Sequence, residues 1–184
     1  KMFSYYMWKK TSNEDNKIFD EKGYAITYGE LTLDGLKTIM ERVKNKKNKV
    51  FVDLGSGNGD IVINAIKEFP ELYMSVGVEL SKTRHETAFE KYMKEPVKLL
   101  KKIKLLNNDI LDDGFHYIDF DIIYISNLCF PENVNVKLSE KIKRECKKNT
   151  QIFCSKPLIG LNKIEIFPVR QTWTDKSVIN YYKI

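Results

Sequence analysis

Apolar and polar positions alternate along the chain with a rhythm that predicts its elements. From Thr32 onward, Leu33, Leu36, Ile39, Met40 and Val43 recur at helical spacing behind a residue suited to cap a helix. Lys49 to Leu54 is a short apolar strand, and Ile61 to Phe69 is a helix that Pro70 ends. Tyr73 to Val78 reads as a second strand finishing at Glu79. Ser81 can cap a further helix running towards Pro96, where it should break or restart. Ile103 to Leu106 is a third strand leading into Asn107-Asn108-Asp109, and Phe120 to Ile125 is a fourth. Val134 to Cys146 carries Leu138 and Ile142 on one helical face, and Gln151 to Cys154 is a fifth strand. The tail offers two more, Ile164 to Val169 and Val178 to Ile184. Residues 1 to 30 show no clear period. An aromatic opening (Phe3, Tyr5, Tyr6, Trp8) gives way to a polar stretch, Thr11 to Asp20, which reads as an arm that packs on something else.

Strands alternating with helices in this way predict an α/β fold: an open, mostly parallel sheet covered on both faces. With no repeats or linkers, residues 31–184 form one domain behind the 1–30 arm. Ligands of such sheets sit outside the carboxyl ends of the strands. The residues that matter are therefore Asp53 to Gly59, Glu79, Asp109, and Ser126 to Phe130.

The first of these segments reads DLGSGNGD, with glycines at 55, 57 and 59 around Ser56. Glycines let a backbone turn sharply and approach a ligand closely. Glu79, at the end of the next strand, can accept hydrogen bonds from ribose hydroxyls. Both features suit a dinucleotide or S-adenosylmethionine. Asp53 and Asp60 separate the two, because they would repel a pyrophosphate and attract the amino group of a methionine moiety. No GK[ST] closes the loop, so it is not a P-loop. Asp109 can accept from the exocyclic amino group of adenine while Ile110 packs on the ring. S-adenosylmethionine is thus the expected cofactor, and the arm of residues 1–30 is expected to pack near its site. At the fourth strand end, Ser126-Asn127-Leu128-Cys129-Phe130 sets a polar group ahead of an aromatic, which suits an acceptor nitrogen.

Composition adds limits. The 184 residues carry a net charge of +6 with a pI near 9.0, so chromatin or free nucleic acid is a plausible partner. A lysine-rich, AT-rich coding sequence explains the charge equally well. Lys46, Lys47 and Lys49, or Lys98, Lys101, Lys102 and Lys104, suit solvated faces as much as binding patches. Cys129, Cys146 and Cys154 form no CxxC pair and read as reduced thiols of a nuclear or cytoplasmic protein. No stretch is long and apolar enough for a membrane helix, no secretion signal opens the chain, and no metal-ligand spacing occurs. His85 and His116 fall away from strand ends and read as structural or exposed.

Several segments together resemble one family. DLGSG, VGVE at Val76 to Glu79, SNLCFPE, CSKPL at Cys154 to Leu158, WT-x-K at Trp173 to Lys176 and Tyr181-Tyr182 occur in this order, with Tyr28-Gly29-Glu30 ahead of them. The set is similar to the Dot-one-like (disruptor of telomeric silencing) family, nucleosomal lysine methyltransferases without a SET domain, and it covers about residues 28 to 182. The resemblance implies a Rossmann-like, seven-stranded class I methyltransferase fold. It implies that Tyr28, Gly29, Glu30 and Leu31 close over the methionine end of the cofactor. It also implies that Asp53, Gly55, Ser56, Gly57, Gly59, Asp60, Glu79, Asp109, Ile110, Ser126 and Asn127 contact the cofactor. Ser126-Asn127 stands where the family has paired Asn, so a Ser replaces the first of them and the acceptor-orienting role is shared. Phe130, Trp173 and Tyr181 would wall the lysine channel, with Tyr182 an alternative to Tyr181.

The segment between Lys156 and Trp173 is shorter than in the family, which implies a minimal enzyme such as a compact viral or protist genome encodes. The implied partner is a nucleosome or core histone, with dispersed lysines available for DNA and a monomeric enzyme acting in a nucleus or viral factory. Two other readings stay open. One is an amino-methyltransferase of nucleic acid or a small molecule. The other is a chromatin-binding module without activity, against which the intact cofactor positions argue.

Overall fold

The computed structural model describes residues 11–26, 29–172 and 174–184. Its elements, in chain order, are α1 (Asn13–Lys22), α2 (Leu33–Glu41), β1 (Val50–Leu54), α3 (Asp60–Glu68), β2 (Met74–Glu79), α4 (Lys82–Tyr92) and α5 (Val97–Leu100). There follow β3 (Ile103–Asn107), β4 (Ile122–Ile125), α6 (Glu132–Glu145), β5 (Gln151–Cys154), β6 (Lys163–Gln171) and β7 (Thr174–Lys183). The seven strands form one sheet in the order β3-β2-β1-β4-β5-β7-β6. The first five run parallel, and β7 is antiparallel to both β5 and β6. Two strands of the expected fold, β6 and β7, thus form a long hairpin at one edge.

The central strands read as continuous apolar runs because both faces are covered. On one face Phe51, Ile122, Tyr124 and Phe153 meet Leu36, Ile39 and Met40 of α2 and Val62, Ala65 and Ile66 of α3. On the other, Val52, Ile123, Ile152 and Cys154 meet Leu138 and Ile142 of α6. Register then decides which residues share a face. Gly77, Asp53, Tyr124, Phe153 and Tyr181 form one row across five strands. Gly77 is in that row because a side chain there would meet Ser56 Oγ and Val62 Cγ2 at 2.8 Å, blocking the close approach of loop and helix to β2.

Strand order reverses between β1 and β4, since β1 leads outward to β2 and β3 while β4 leads to β5. A crevice therefore opens at their carboxyl ends.

The helix expected to end near Pro96 does stop, at Tyr92, and restarts behind that proline as α5. The fourth strand begins at Ile122 rather than Phe120. Phe120 turns into an aromatic group with Phe115 and Tyr117, while the Asp121 carboxylate accepts from Val50 N at 2.9 Å. The polar stretch Thr11 to Asp20 is largely helical. Ser12 accepts from Asp15 N, Asp15 returns the bond to Ser12 N, and Gly23 ends the helix in the left-handed region. Only Phe19 of this helix supplies a buried apolar side chain, which is why no apolar period marks it.

Candidate active site

Two clefts open at the carboxyl ends of β1, β2 and β4. The wider has about 580 Å³ of space within it and at its mouth, and its walls include Phe19, Tyr24, Glu79, Arg84, Asp109, Ile110 and Phe130. The narrower is lined by Glu30, Leu31, Asp53, Ser56, Asp60, Ile61, Tyr124 and Ser126 among others. Gly29, Gly55 and Ser126 belong to both, so the clefts meet there. At Gly55 the backbone has φ +93°, and a Cβ would point into open space, so the loop is shaped to leave the junction clear.

In the wider cleft, Glu79 is buried and accepts from Gly57 N and Ser81 N, both at 2.8 Å. Burial raises its pKa, against the pull of nearby Arg84. Asp109 accepts from Tyr24 Oη at 2.7 Å and Leu111 N at 2.9 Å on Oδ1, and from Lys22 Nζ at 2.7 Å on Oδ2. Burial alone would raise this carboxyl, but the Lys22, Leu111 and Tyr24 hydrogen bonds outweigh it and lower the pKa. Oδ2 keeps capacity for a further donor from the cleft. Tyr24 packs edge-on against Phe130 at 5.8 Å, joining the arm to the β4 loop.

One side chain ties the arm to the start of α4 at several points. Asp15 closes its own helix and also accepts from Ser81 Oγ (2.9 Å), Lys82 N (2.8 Å) and Thr83 N (3.3 Å) at the start of α4. One carboxylate thus serves two helix N-termini, where negative charge is favoured. Burial pushes it up, yet the bonds from Thr83, Ser12, Ser81 and Lys82 hold its pKa to about 2. Arg84 adds a bond to Ile26 O at 2.7 Å.

In the narrower cleft, Asp53 is 3% exposed and its Oδ1 has no hydrogen-bond partner. Burial, then the charges of Glu79 and Glu30, raise its pKa well above the ordinary carboxylate range. An unpaired buried carboxyl is costly. Beside a cleft, it fits a ligand that carries positive charge.

Of the residues named from sequence, Gly29, Glu30, Leu31, Asp53, Gly55, Ser56, Asp60, Glu79, Asp109, Ile110, Ser126 and Phe130 are brought to the two clefts. Gly57 and Gly59 stand behind the walls: Gly57 donates to Glu79, and Gly59 caps α3. Asn127 is fully buried and committed elsewhere. Its Nδ2 donates to Asn135 Oδ1 (2.7 Å) and Lys156 O (3.1 Å), and its Oδ1 accepts from Lys156 N (2.8 Å). It clamps the β4 and β5 loops together and lines neither cleft, which leaves Ser126 as the member of the pair at the junction. Tyr181 is also not brought to the clefts. Its ring stacks on Phe153 at 4.7 Å and its hydroxyl donates to Gln151 Oε1 at 2.9 Å, at the start of β5 and so at the far end of the sheet. Tyr182 is buried on the opposite face, and its hydroxyl accepts from Leu158 N. Tyr28 and Trp173, like the aromatics of residues 1–10, lie outside the described residues. Their neighbours Glu30 and Thr172 pair through Thr172 N and Glu30 O at 2.9 Å, so Thr172 adjoins the narrower cleft.

Sequence reading missed Phe19, Tyr24, Arg84 and Tyr124. The first two sit in the arm, and Ser12-x-x-Asp15 was the available signal for the helix that carries Phe19. Nothing in the sequence marks Tyr124.

The chain matches the family model described as "Histone methylation protein DOT1" over residues 14–182. It is 30% identical over 149 residues to a histone-lysine N-methyltransferase, H3 lysine-79 specific, of Caenorhabditis elegans. That match covers 76% of this chain and 16% of the nematode protein, so the chain spans under a fifth of that relative's length. It is 25% identical over 147 residues to a protein-lysine N-methyltransferase of Saccharolobus islandicus, covering 79% of this chain and 86% of the archaeal one. Among solved structures, an RNA methyltransferase from Salinibacter ruber, in complex with S-adenosyl-L-homocysteine, superposes with a TM-score of 0.66. The sequence identity is 15%, covering 81% of this chain and 89% of that one. At that identity the likeness is one of fold, the Rossmann-like class I methyltransferase architecture.

Proposed function

The chain belongs to the histone methylation DOT1 family, and from that premise we propose that it is an S-adenosylmethionine-dependent protein-lysine N-methyltransferase. Its proposed substrate is a core histone in nucleosomes, at a lysine of the H3 globular domain. The observation that carries this reading is the acidic lining of the two clefts around their junction. Asp53 and Glu30 on one side, with Glu79 and Asp109 on the other, favour cationic ligands and disfavour phosphate.

When bound, the cofactor supplies an electrophilic methyl group on a sulfonium. Asp109 and Ile110 would hold an adenine by hydrogen bond and packing, and Glu79 would accept from the ribose hydroxyls. Asp53 would take the methionine ammonium. Ser126 lines both clefts, and in this reading its hydroxyl would accept a hydrogen bond from an incoming amine.

Lysine, with an ordinary pKa of about 10.4, must lose a proton before it can attack. Desolvation beside Phe130 would lower that pKa against the opposing pull of the acids, the proton would leave to water, and rate would come mainly from orientation. Exposed lysines provide contacts to nucleosomal DNA in this reading, and the nucleus is the proposed site of action.

The test is methyl transfer from labelled S-adenosylmethionine to nucleosomes, free histones, DNA and RNA in parallel. Label on histone supports the reading. Label on DNA or RNA alone would instead establish an amino-methyltransferase of nucleic acid.

A further inference from the structure

Tyr124 holds a place that neither packing nor the proposed cofactor contacts explain. It is the third residue of β4, 1% exposed, and in register with Asp53 on the neighbouring parallel strand. Partners in register lie about 4.8 Å apart and project from the same face of the sheet. Both residues line the narrower cleft. Both also end in an oxygen without a hydrogen-bond partner, Oδ1 of Asp53 and Oη of Tyr124. A phenylalanine would fill the same core position without burying an unsatisfied hydroxyl, which is destabilising. The hydroxyl therefore answers to something besides packing.

Its surroundings show what kind of group would satisfy it. Burial, and then the charge of Asp53, keep the phenol protonated, while the side chains of Ser126 and Ser155 approach the hydroxyl. Ser155 Oγ in turn accepts from Gln171 Nε2 at 3.4 Å, and Gln171 Oε1 is a third buried oxygen without a partner. Acceptors thus outnumber donors along the line Asp53, Tyr124, Ser155 and Gln171. Gln171 bridges to Leu31, just after the arm and beside the narrower cleft. Such a line of oxygens is complementary to a group with several N–H donors and a positive charge. Asn127, the side chain expected to serve an amine, lines neither cleft.

We infer that the Tyr124 hydroxyl is a binding group for a primary ammonium, accepting one of its N–H bonds beside the Asp53 carboxylate. This rests on the methyltransferase reading, in which two primary ammoniums reach this region: the α-ammonium of the cofactor's methionine and the ε-ammonium of the substrate lysine. Continuity of Tyr124 with Asp53 places it at the methionine end.

Tyr124→Phe separates the possibilities, using the full chain. Free Y124F is expected to melt about 2–4 °C above wild type, because an unsatisfied buried hydroxyl is gone. Its affinity for S-adenosylmethionine by calorimetry is expected to fall about tenfold, the loss typical of a hydrogen bond to a charged group. Its affinity for 5′-methylthioadenosine, which lacks the amino-acid portion, should not change. If cofactor affinity holds and kcat/KM on nucleosomes falls about tenfold instead, the ammonium bound is the substrate's. If Y124F matches wild type in cofactor affinity and in kcat/KM, the inference is overturned. Wild-type protein that binds no S-adenosylmethionine would overturn the methyltransferase reading itself, and this inference with it.

Discussion

Asp15 is a single residue on which the cleft wall depends, and its contribution is measurable. Asp15→Ala removes the acceptor for Ser12 N, Ser81 Oγ, Lys82 N and Thr83 N together, and so weakens the N-termini of α1 and α4 at once while the Ser12 and Ser81 caps remain. The carboxyl titrates near 2 against an ordinary 3.8, a preference for the charged form in the folded state of about 2 kcal/mol. Two helix N-termini each losing a carboxylate, at about 1 kcal/mol apiece, give the same magnitude by a separate route. For a chain of this size, about 2 kcal/mol corresponds to a melting point lower by roughly 4–8 °C. Because the folded pKa is depressed, the stabilisation is fully present above pH 3.8 and is lost as pH falls through about 2. Urea unfolding of wild type and D15A should thus differ by a constant amount between pH 7 and about 5, and the two curves should converge below 3.8. Since α1 carries Phe19 and Lys22 and leads into Tyr24, the variant should also bind cofactor more weakly. Coincident unfolding midpoints at pH 7 would refute the reading that one carboxylate holds both helix N-termini.

Asp53 gives cofactor binding a pH signature. Its raised carboxyl favours the neutral form in the free protein, so the stability it contributes falls as pH climbs from 3.8 to its raised pKa. A cationic ligand pairs with the ionised form, so affinity should rise with pH across that window, by at most about tenfold per pH unit. Calorimetry in buffers of different ionisation enthalpy should register the released proton, and Asp53→Asn should abolish the slope. Tyr181→Phe should leave kcat/KM within about twofold of wild type and cost about 1 kcal/mol of stability, since its hydroxyl only meets Gln151. A large loss of activity in that variant would return Tyr181 to the channel. Asn127→Ala should cost about 2–4 kcal/mol in chemical unfolding, because Lys156 N and the Asn135 side chain lose buried partners.

The parallel core was legible because buried strands write themselves as apolar runs. Ile122, Ile123 and Ile125 of β4 are buried without exception, and Gln151–Cys154 was bounded to the residue. The acids at strand ends were legible for a related reason, since a charge next to an apolar run needs an explanation that packing does not offer. What escaped depends on pairing between distant segments. α1 is held by Asp15 reaching α4, 66 residues away, and its lone buried Phe19 leaves no periodic trace. Asn127 looked like an acceptor-orienting group by position, but its partners at Asn135 and Lys156 come from later elements. Tyr124 and Tyr181 share one row of the sheet, yet one sits beside the crevice and the other points to the sheet's far end. Register aligns them across Phe153, and only their side-chain contacts separate them.

The most direct test of the proposed activity is peptide mass spectrometry of nucleosomes incubated with the protein and S-adenosylmethionine. The expected result is methylation of a lysine in the globular domain of H3, absent when Asp53→Asn protein is used. Unmodified histone lysines, with methyl groups recovered only on nucleic acid, would contradict it.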